Sequence, residues 1–142
     1  MTETGQWYDG LAIPYLMRLA RGSYGERSRS LLAEAGFDDL PRNAGWILTG
    51  LVEARRPLSD ITGELFMGSS AASTMVDTLL VRGYVERELD LLGLTERGRA
   101  ATEVIQSAVD QVDEELEARL SSDQLAGLRA GLAALHDIRE AR

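Results

Sequence analysis

The 142-residue chain is predicted to be mainly α-helical, with a winged helix-turn-helix that has a small β-hairpin wing, flanked by long N- and C-terminal dimerisation helices. The observations that predict this class lie within residues 58–99. Two short amphipathic segments are separated by Gly68, and two strand-like segments then precede Thr95, which opens another helix. Helix, turn, helix, hairpin and helix is the order that a winged helix-turn-helix requires.

Composition limits the classes of protein to which the chain can belong. Its length suits one domain of residues 1–142, and its 44% apolar residues are typical of a folded protein. It has no cysteine, which excludes disulfides, thiolate zinc sites and thiol redox chemistry. No apolar run has the length of a membrane span and no signal-peptide pattern is present. We therefore expect a cytoplasmic protein with no membrane partner.

Charge is distributed unevenly along the chain. The net charge of −8 argues against broad, non-specific binding of nucleic acid. Residues 55–99, however, are close to neutral, with seven acids and six arginines, and most of the excess acid lies in the flanks. A weakly charged DNA-binding face remains compatible with this distribution.

The first third of the chain predicts two helices. Residues 9–35 have apolar side chains at helical spacing, interrupted by Gly22 and Gly25, so we expect a kink or break there. Gly36 ends this helix. Residues 42–54 form a second helix whose buried face comprises Ala44, Ile47, Leu48, Leu51 and Val52.

The helix-turn-helix itself is predicted from two short periodic segments. Ser59 caps the first helix and Ser69 or Ser70 caps the second, which ends at Gly83. Residues 84–87 and 92–94 then form a hairpin joined by residues 88–91. The side chains expected to face the core are Leu58, Ile61, Leu65 and Phe66 in the first helix, and Ala72, Met75, Val76 and Leu79 in the second.

Two helices with long apolar stripes close the chain. Thr95 caps the first, and Ser121 with Gln124 forms a capping box for the second. Little other core is available to cover these helices and the first one. We therefore expect residues 1–40 and 100–142 to form a helical dimerisation region and residues 41–99 the winged helix-turn-helix; folding back into a small bundle is the alternative. The stripes comprise Ala101, Val104, Ile105, Ala108, Val109, Val112, Leu116 and Leu120, then Leu125, Leu128, Leu132, Leu135 and Ile138.

The sequence resembles the multiple-antibiotic-resistance regulator (MarR) family of bacterial transcription factors. The residues that carry the resemblance are Leu58-Ser59, Ser69-Ser70, Val76-Asp77 with Leu79, the segment Arg82-Gly83-Tyr84-Val85-Glu86-Arg87 and the segment Leu94-Thr95-Glu96-Arg97-Gly98. The resemblance implies a homodimer that binds a pseudo-palindromic operator in double-stranded DNA. It also implies a repressor that a small phenolic or lipophilic effector releases.

The wing departs from the family pattern. It is shorter, it lacks the arginine that the family carries near the tip, and Glu88 and Asp90 stand there instead. This departure motivates an alternative function: a winged-helix protein with a degenerate wing that has lost DNA binding and acts through protein–protein contacts.

Residues 69–82 are the predicted recognition helix. Hydroxyl side chains near its N-terminal end suit contacts to phosphates and base edges, and arginines suit phosphates. Three polar residues of this segment also have a purely structural explanation: Ser69 as a helix cap, Arg82 as a complement to the helix dipole, and Asp77 as a partner for an arginine. The predicted DNA-binding residues are Ser69, Ser70, Ser73, Thr74, Thr78, Arg82, Arg87, Arg55 and Arg56.

The resemblance also implies an effector site between the dimerisation helices and the winged domain. Tyr15 and Trp46 are the aromatic candidates and Arg18 can meet an anionic group, although aromatic residues at helical spacing are usually core or interface. No cofactor or metal site is expected, because the sequence has no glycine-rich phosphate loop and no paired metal-ligand motif. No catalysis is expected, because nothing in the sequence indicates a nucleophile near the single histidine, His136. The acidic run at residues 113–117 is expected to be a solvated helix face.

Overall fold

The computed structural model describes residues 5–65 and 68–141, without the side chains of Glu64, Leu65 and Ser69. These residues form six helices and a three-stranded sheet, which confirms the predicted mainly α-helical winged class. The elements are α1 (Ile13–Glu34), α2 (Ala44–Gly50), β1 (Arg56–Pro57), α3 (Leu58–Leu65), α4 (Ser69–Val81), β2 (Val85–Glu88), β3 (Leu91–Leu94), α5 (Glu96–Arg119) and α6 (Ser122–Glu140). None of these helices has the length and apolar character needed to cross a bilayer.

The helix α1 runs without interruption through Gly22 and Gly25, so the predicted break is wrong. A glycine inside a helix costs only about 1 kcal/mol, and long packing of α1 along α5 offsets that cost. Polar contacts fix this packing: the Tyr24 hydroxyl donates to Asp113 Oδ1 at 2.6 Å, and Arg27 Nη2 donates to Glu115 Oε2 at 2.6 Å. The helix ends before Gly36, which has φ of +89°.

The helices of the helix-turn-helix begin at other residues than expected. Because β1 runs directly into α3 at Leu58, Ser59 lies inside the first turn rather than at its cap. Gly68, with an extended backbone, occupies the N-cap position of α4, so neither Ser69 nor Ser70 is the cap. The predicted inward positions of Phe66 and the Leu65 side chain lie outside the described residues. The buried stripe of α4 is confirmed: Ala72, Val76 and Leu79 are fully buried and Met75 is partly buried.

The wing is a tight hairpin of β2 and β3, which pair antiparallel from Val85 with Leu94 to Glu88 with Leu91. Leu89 and Asp90 make the turn, with Leu89 in the left-handed region at φ +58°. The short strand β1 pairs with the other edge of β3, giving the order β1-β3-β2. This third strand was not predicted, because Arg56-Pro57 is too short to carry a strand pattern.

The core lies beneath the winged helix-turn-helix. It joins the C-terminal end of α1 at Leu32, α2, α3, α4, the sheet and the N-terminal half of α5, and Tyr84 is its largest fully buried side chain. Val52, expected in this core, is exposed instead, because α2 ends at Gly50. The caps of the last two helices are confirmed: Thr95 accepts from the Gly98 amide, and Ser121 and Gln124 form the capping box.

Candidate DNA-binding surface

The outward face of α4 is defined by the residues that its buried stripe leaves exposed. Ser70, Thr74, Asp77 and Val81 are exposed and recur at spacings of four, three and four, which places them along one line of the helix. Ser73, exposed, and Thr78, partly buried, flank this line. Ser69 is the first residue of α4. The structure therefore brings Ser70, Ser73, Thr74 and Thr78 together on or beside one surface, which we call the outer face of α4.

Both threonines of this face hydrogen-bond back along their own helix. Thr74 Oγ1 donates to the Ser70 carbonyl at 3.1 Å, and Thr78 Oγ1 donates to the Thr74 carbonyl at 3.1 Å. Each hydroxyl has one hydrogen, and here that hydrogen is used inside the helix. What remains at each side chain is an acceptor oxygen and a methyl group.

The C-terminal end of α4 is held by a polar cluster that the sequence did not reveal. Arg82, the C-cap of α4, donates through Nη1 to the backbone carbonyl of Asp39 in the loop between α1 and α2. The Tyr84 hydroxyl donates to the Asp39 carboxylate. Arg97 Nη2 lies 2.9 Å from Asp39 Oδ1, and its guanidinium stacks 4.5 Å from the centroid of the Tyr84 ring. We call Asp39, Arg82, Tyr84 and Arg97 the Asp39 cluster.

Electrostatics within the Asp39 cluster favour an ionised carboxylate and a neutral phenol. The hydrogen bond from Tyr84 and the charge of Arg97 lower the pKa of Asp39. Burial and the hydrogen bond to Asp39 raise the pKa of Tyr84 to about 12. The cluster thus ties the end of α4 to the start of α5 and to the loop after α1. Arg82, predicted to contact phosphate, is engaged in this link.

A second arginine that was predicted to contact phosphate, Arg55, precedes β1 and forms ion pairs with acids of the wing. Arg55 Nη2 lies 2.5 Å from Glu86 Oε1, and its Nη1 lies 4.0 Å from Glu88 Oε2. Its guanidinium crosses β3 at Gly93, where an added Cβ would lie 2.8 Å from Arg55 Nη1. A side chain at position 93 would displace this arginine. The charge of Arg55 is therefore directed at the acids of the wing.

The remaining two arginines differ in their surroundings. Arg56, in β1, is partly buried and donates through Nη1 to the Gly50 carbonyl at 3.2 Å. Arg87, in β2, is exposed. Four arginines were predicted to contact phosphate. Among the described residues, Arg87 is the one of these four whose side chain is exposed on the wing and makes no hydrogen bond or ion pair within the protein.

The residues predicted to bind an effector lie at the surface of the protomer. Tyr15 and Arg18 are exposed on α1, with 61% of Tyr15 accessible, and Trp46 in α2 is 51% accessible. Arg21, rather than Arg18, lies against Trp46, with its guanidinium 5.7 Å from the ring centroid. A cleft of about 230 Å³ lies elsewhere, beside Arg55, Gly93 and Arg99. Among the described residues, no group of three or more acids or histidines could hold a metal ion.

Solved structures identify the fold. Over 92% of this chain and 97% of the other, ligand-free NadR superposes with a TM-score of 0.75 at 23% identity. The repressor CouR bound to p-coumaroyl-CoA gives 0.73 at 22% identity, over 94% of this chain and 98% of the other. The Mycobacterium tuberculosis MarR-family protein Rv2887 in complex with DNA gives 0.63 at 22% identity, over 87% and 97%.

The chain has the fold of MarR-family regulators. The likeness covers 97–98% of these three proteins and 87–94% of this chain, so the fold expected from the sequence resemblance is confirmed. No protein-family model and no curated protein matches the chain.

Proposed function

We propose that the chain is a homodimeric MarR-type transcriptional regulator that presents α4 to the major groove of a pseudo-palindromic operator. The observation that carries the proposal is the geometry of α4. Ala72, Val76 and Leu79 seat the helix in the core, while its opposite face exposes short polar side chains. In a helix-turn-helix, the second helix is the one that enters the major groove. A DNA complex among the structures of the same fold supports this role.

The apolar side chains of α6 support a homodimer. Leu128, Leu132, Leu135 and Ile138 recur at spacings of three and four, and each is 41–66% exposed. A continuous apolar line of this length is unusual on the surface of a monomer. Ile13, Tyr15 and Leu19 of α1 add exposed apolar area. A second copy of the chain would cover both helices, and two-fold symmetry would present two α4 helices to successive major grooves.

The charge on this surface implies modest affinity. With Arg55 and Arg82 engaged within the protein, Arg87 is the main cation for phosphate contact. Each phosphate neutralised contributes about −0.9 to the slope of log affinity against log salt, so one contact per subunit gives a dimer a slope of roughly −2. The low charge limits non-specific binding and leaves selectivity to the outer face of α4.

We further propose that binding represses transcription in the cytoplasm and that a small phenolic or lipophilic effector releases the DNA. CouR, a repressor of the same fold, is bound to p-coumaroyl-CoA, which supports this class of effector. Tyr15, Arg18 and Trp46 are the residues we assign to the effector, with Arg21 held against Trp46 as a further cation.

Selection from a random duplex library tests the central proposal. The purified protein is incubated with the library at low salt, and bound DNA is sequenced over successive rounds. We expect an enriched inverted repeat, bound in fluorescence anisotropy at submicromolar protein and at least tenfold more tightly than a scrambled duplex. Failure to enrich any motif, with equal binding of all duplexes, would contradict the proposal.

A further inference from the structure

The outer face of α4 carries a row of methyl groups. Thr74, Thr78 and Val81 are spaced by four and three residues, and Val81 is 87% exposed. In both threonines the hydrogen bond to the preceding turn fixes the side-chain torsion, so the methyl group is held in one staggered position. We call these three residues the methyl row.

The same hydrogen bonds restrict what the threonines can recognise. A hydroxyl that already donates its one hydrogen bond to the helix backbone cannot also donate to guanine O6 or N7, or to thymine O4. The helix Ser69–Val81 contains no arginine or lysine, the residues that contact guanine most often. Two kinds of contact remain at the methyl row: apolar contact with the thymine C5-methyl group, and acceptance of a hydrogen bond from an adenine or cytosine amino group.

Position along the helix selects among the three residues. Base edges are contacted from the N-terminal part of a recognition helix. Thr74 lies in that half and is exposed, whereas Thr78 is partly buried and Val81 lies about 10 Å further along the axis. Thr74 is therefore the member of the row best placed for a base edge.

The geometry points to Thr74 as a specificity-determining residue that recognises a thymine methyl group in each half-site through its own γ-methyl. Val81 extends the apolar surface toward the end of the helix. This inference rests on the proposed function and adds the chemistry of the DNA that is recognised. At the base pair that Thr74 contacts, each half-site should carry thymine rather than guanine.

Paired changes in the protein and the DNA test the inference on the duplex selected from the library. Deoxyuridine, which lacks the C5-methyl group, replaces each thymine in turn in both half-sites. Wild type is compared with Thr74→Val, which keeps the methyl and removes the hydroxyl, and with Thr74→Ser, which does the reverse. Thr49→Ser, the same loss of a methyl on an exposed residue of α2, is the control, and thermal melting checks that each variant folds.

We expect one thymine position at which deoxyuridine lowers the DNA affinity of wild type and of Thr74→Val. The loss should be about fourfold for one half-site and roughly tenfold or more when both half-sites are changed. Thr74→Ser should bind the thymine duplex as weakly as wild type binds the deoxyuridine duplex, and replacing thymine with deoxyuridine should not lower its affinity further. Thr49→Ser should behave as wild type.

Two results would overturn the inference while leaving the proposed function intact. One is a selected duplex whose affinity does not change with any deoxyuridine. The other is tight binding by Thr74→Ser together with weak binding by Thr74→Val, which would assign recognition to the hydroxyl. Absence of any selected motif would instead contradict the proposed function itself.

Discussion

The winged helix-turn-helix and the flanking helices bury their apolar residues to very different extents. In the former, Ile47, Leu79 and Tyr84 are fully buried within one protomer. In the latter, Leu132 and Ile138 of α6 are 45% and 66% exposed although their spacing is as regular as that of any core helix. The same 3.6-residue pattern thus specifies a core in one region and an uncovered face in the other. The winged region thus has its own core, whereas the exposed apolar faces of α1 and α6 are the ones that the proposed second copy would cover.

The helix α5 belongs to both regions and joins them. Its N-terminal half is buried against the sheet at Gly98 and Ala101. Further along, it packs on α1 through Tyr24 and Arg27, which bond to Asp113 and Glu115. The helix α5 therefore connects the α1 packing surface to the Asp39 cluster at the end of α4, which it joins through Arg97.

Substitution of the α6 face should have the largest effect. Leu132→Glu places a charge in the proposed interface twice, once from each copy, so we expect the dimer to weaken by at least about 3 kcal/mol, a hundredfold or more. Sedimentation equilibrium measures the change. Ala130→Glu, the same charge at an exposed position of α6 away from the apolar line, is the control. Equal effects of the two variants would remove the basis for treating α6 as an interface.

Substitution of Gly98 tests the other side of the comparison. A Cβ on Gly98 would lie 1.9 Å from the Tyr84 carbonyl oxygen, so the backbones of α5 and the wing must separate. We expect Gly98→Ala to lower the free energy of unfolding by about 2–3 kcal/mol in urea titrations. At Gly63, in α3, a Cβ would meet no heavy atom within 4 Å, and Gly63→Ala should be neutral or stabilising by about 0.5–1 kcal/mol. If both alanines are tolerated alike, the close packing of α5 on the wing is wrong.

The Asp39 cluster predicts a pH-dependent contribution to stability. Tyr84→Phe removes a hydrogen bond to a carboxylate and should lower Tm at pH 7 by about 5 °C. Because the folded pKa of Asp39 is lowered below its usual 3.8, the stabilisation is present above pH 4 and is lost as pH falls through the folded value.

On the alkaline side, the folded pKa of Tyr84, about 12, exceeds its usual 10, so its contribution is lost as pH rises from 10 toward 12. Thermal melts of wild type and Tyr84→Phe between pH 2.5 and 7 check the acid limb. A difference in Tm that stays constant down to pH 2.5 would exclude Asp39 as the partner.

Release of Arg55 should have the smallest effect. Glu86→Gln removes the nearest acid, so Arg55 becomes available to phosphate and the wing loses a repulsive charge. We expect a severalfold gain in affinity for every duplex, and a salt slope steeper by about 1 per subunit, in anisotropy titrations. Glu103→Gln removes an equal charge from an exposed position on α5 and is the control. A gain in affinity for one DNA sequence alone would indicate that Glu86 acts on a base contact and not by neutralising Arg55.

Local patterns predicted the fold better than they predicted the site. The order of helices and the caps at Thr95 and Ser121 follow from hydrophobic spacing and hydroxyl positions, which act within a few residues. The break at Gly22 was predicted wrongly because packing on α5 offsets the local cost of glycine. The cap of α4 was misplaced because Gly68, which has no hydroxyl, occupies the N-cap position.

The site depends on contacts between distant segments. Asp39 lies in a loop with no periodicity, and nothing near it in the sequence indicates a bond to Tyr84. Likewise, Arg55 resembles any surface arginine until the pairing of Glu86 with Gly93 opens space for it across the sheet. The outer face of α4 was predictable, since it is the complement of a buried stripe, whereas the use of the threonine hydroxyls within the helix was not.

The spacing of half-sites tests most directly the claim that a two-fold pair of α4 helices reads DNA. Anisotropy titrations, with stoichiometry from sedimentation, compare the selected duplex with one carrying a five-base-pair insertion between its half-sites. We predict two chains per duplex, half-site centres about 10–10.5 base pairs apart, and a loss of selective binding on insertion, because half a turn moves one site to the opposite side of the helix. Binding of one chain per duplex, or equal affinity for both duplexes, would contradict the account.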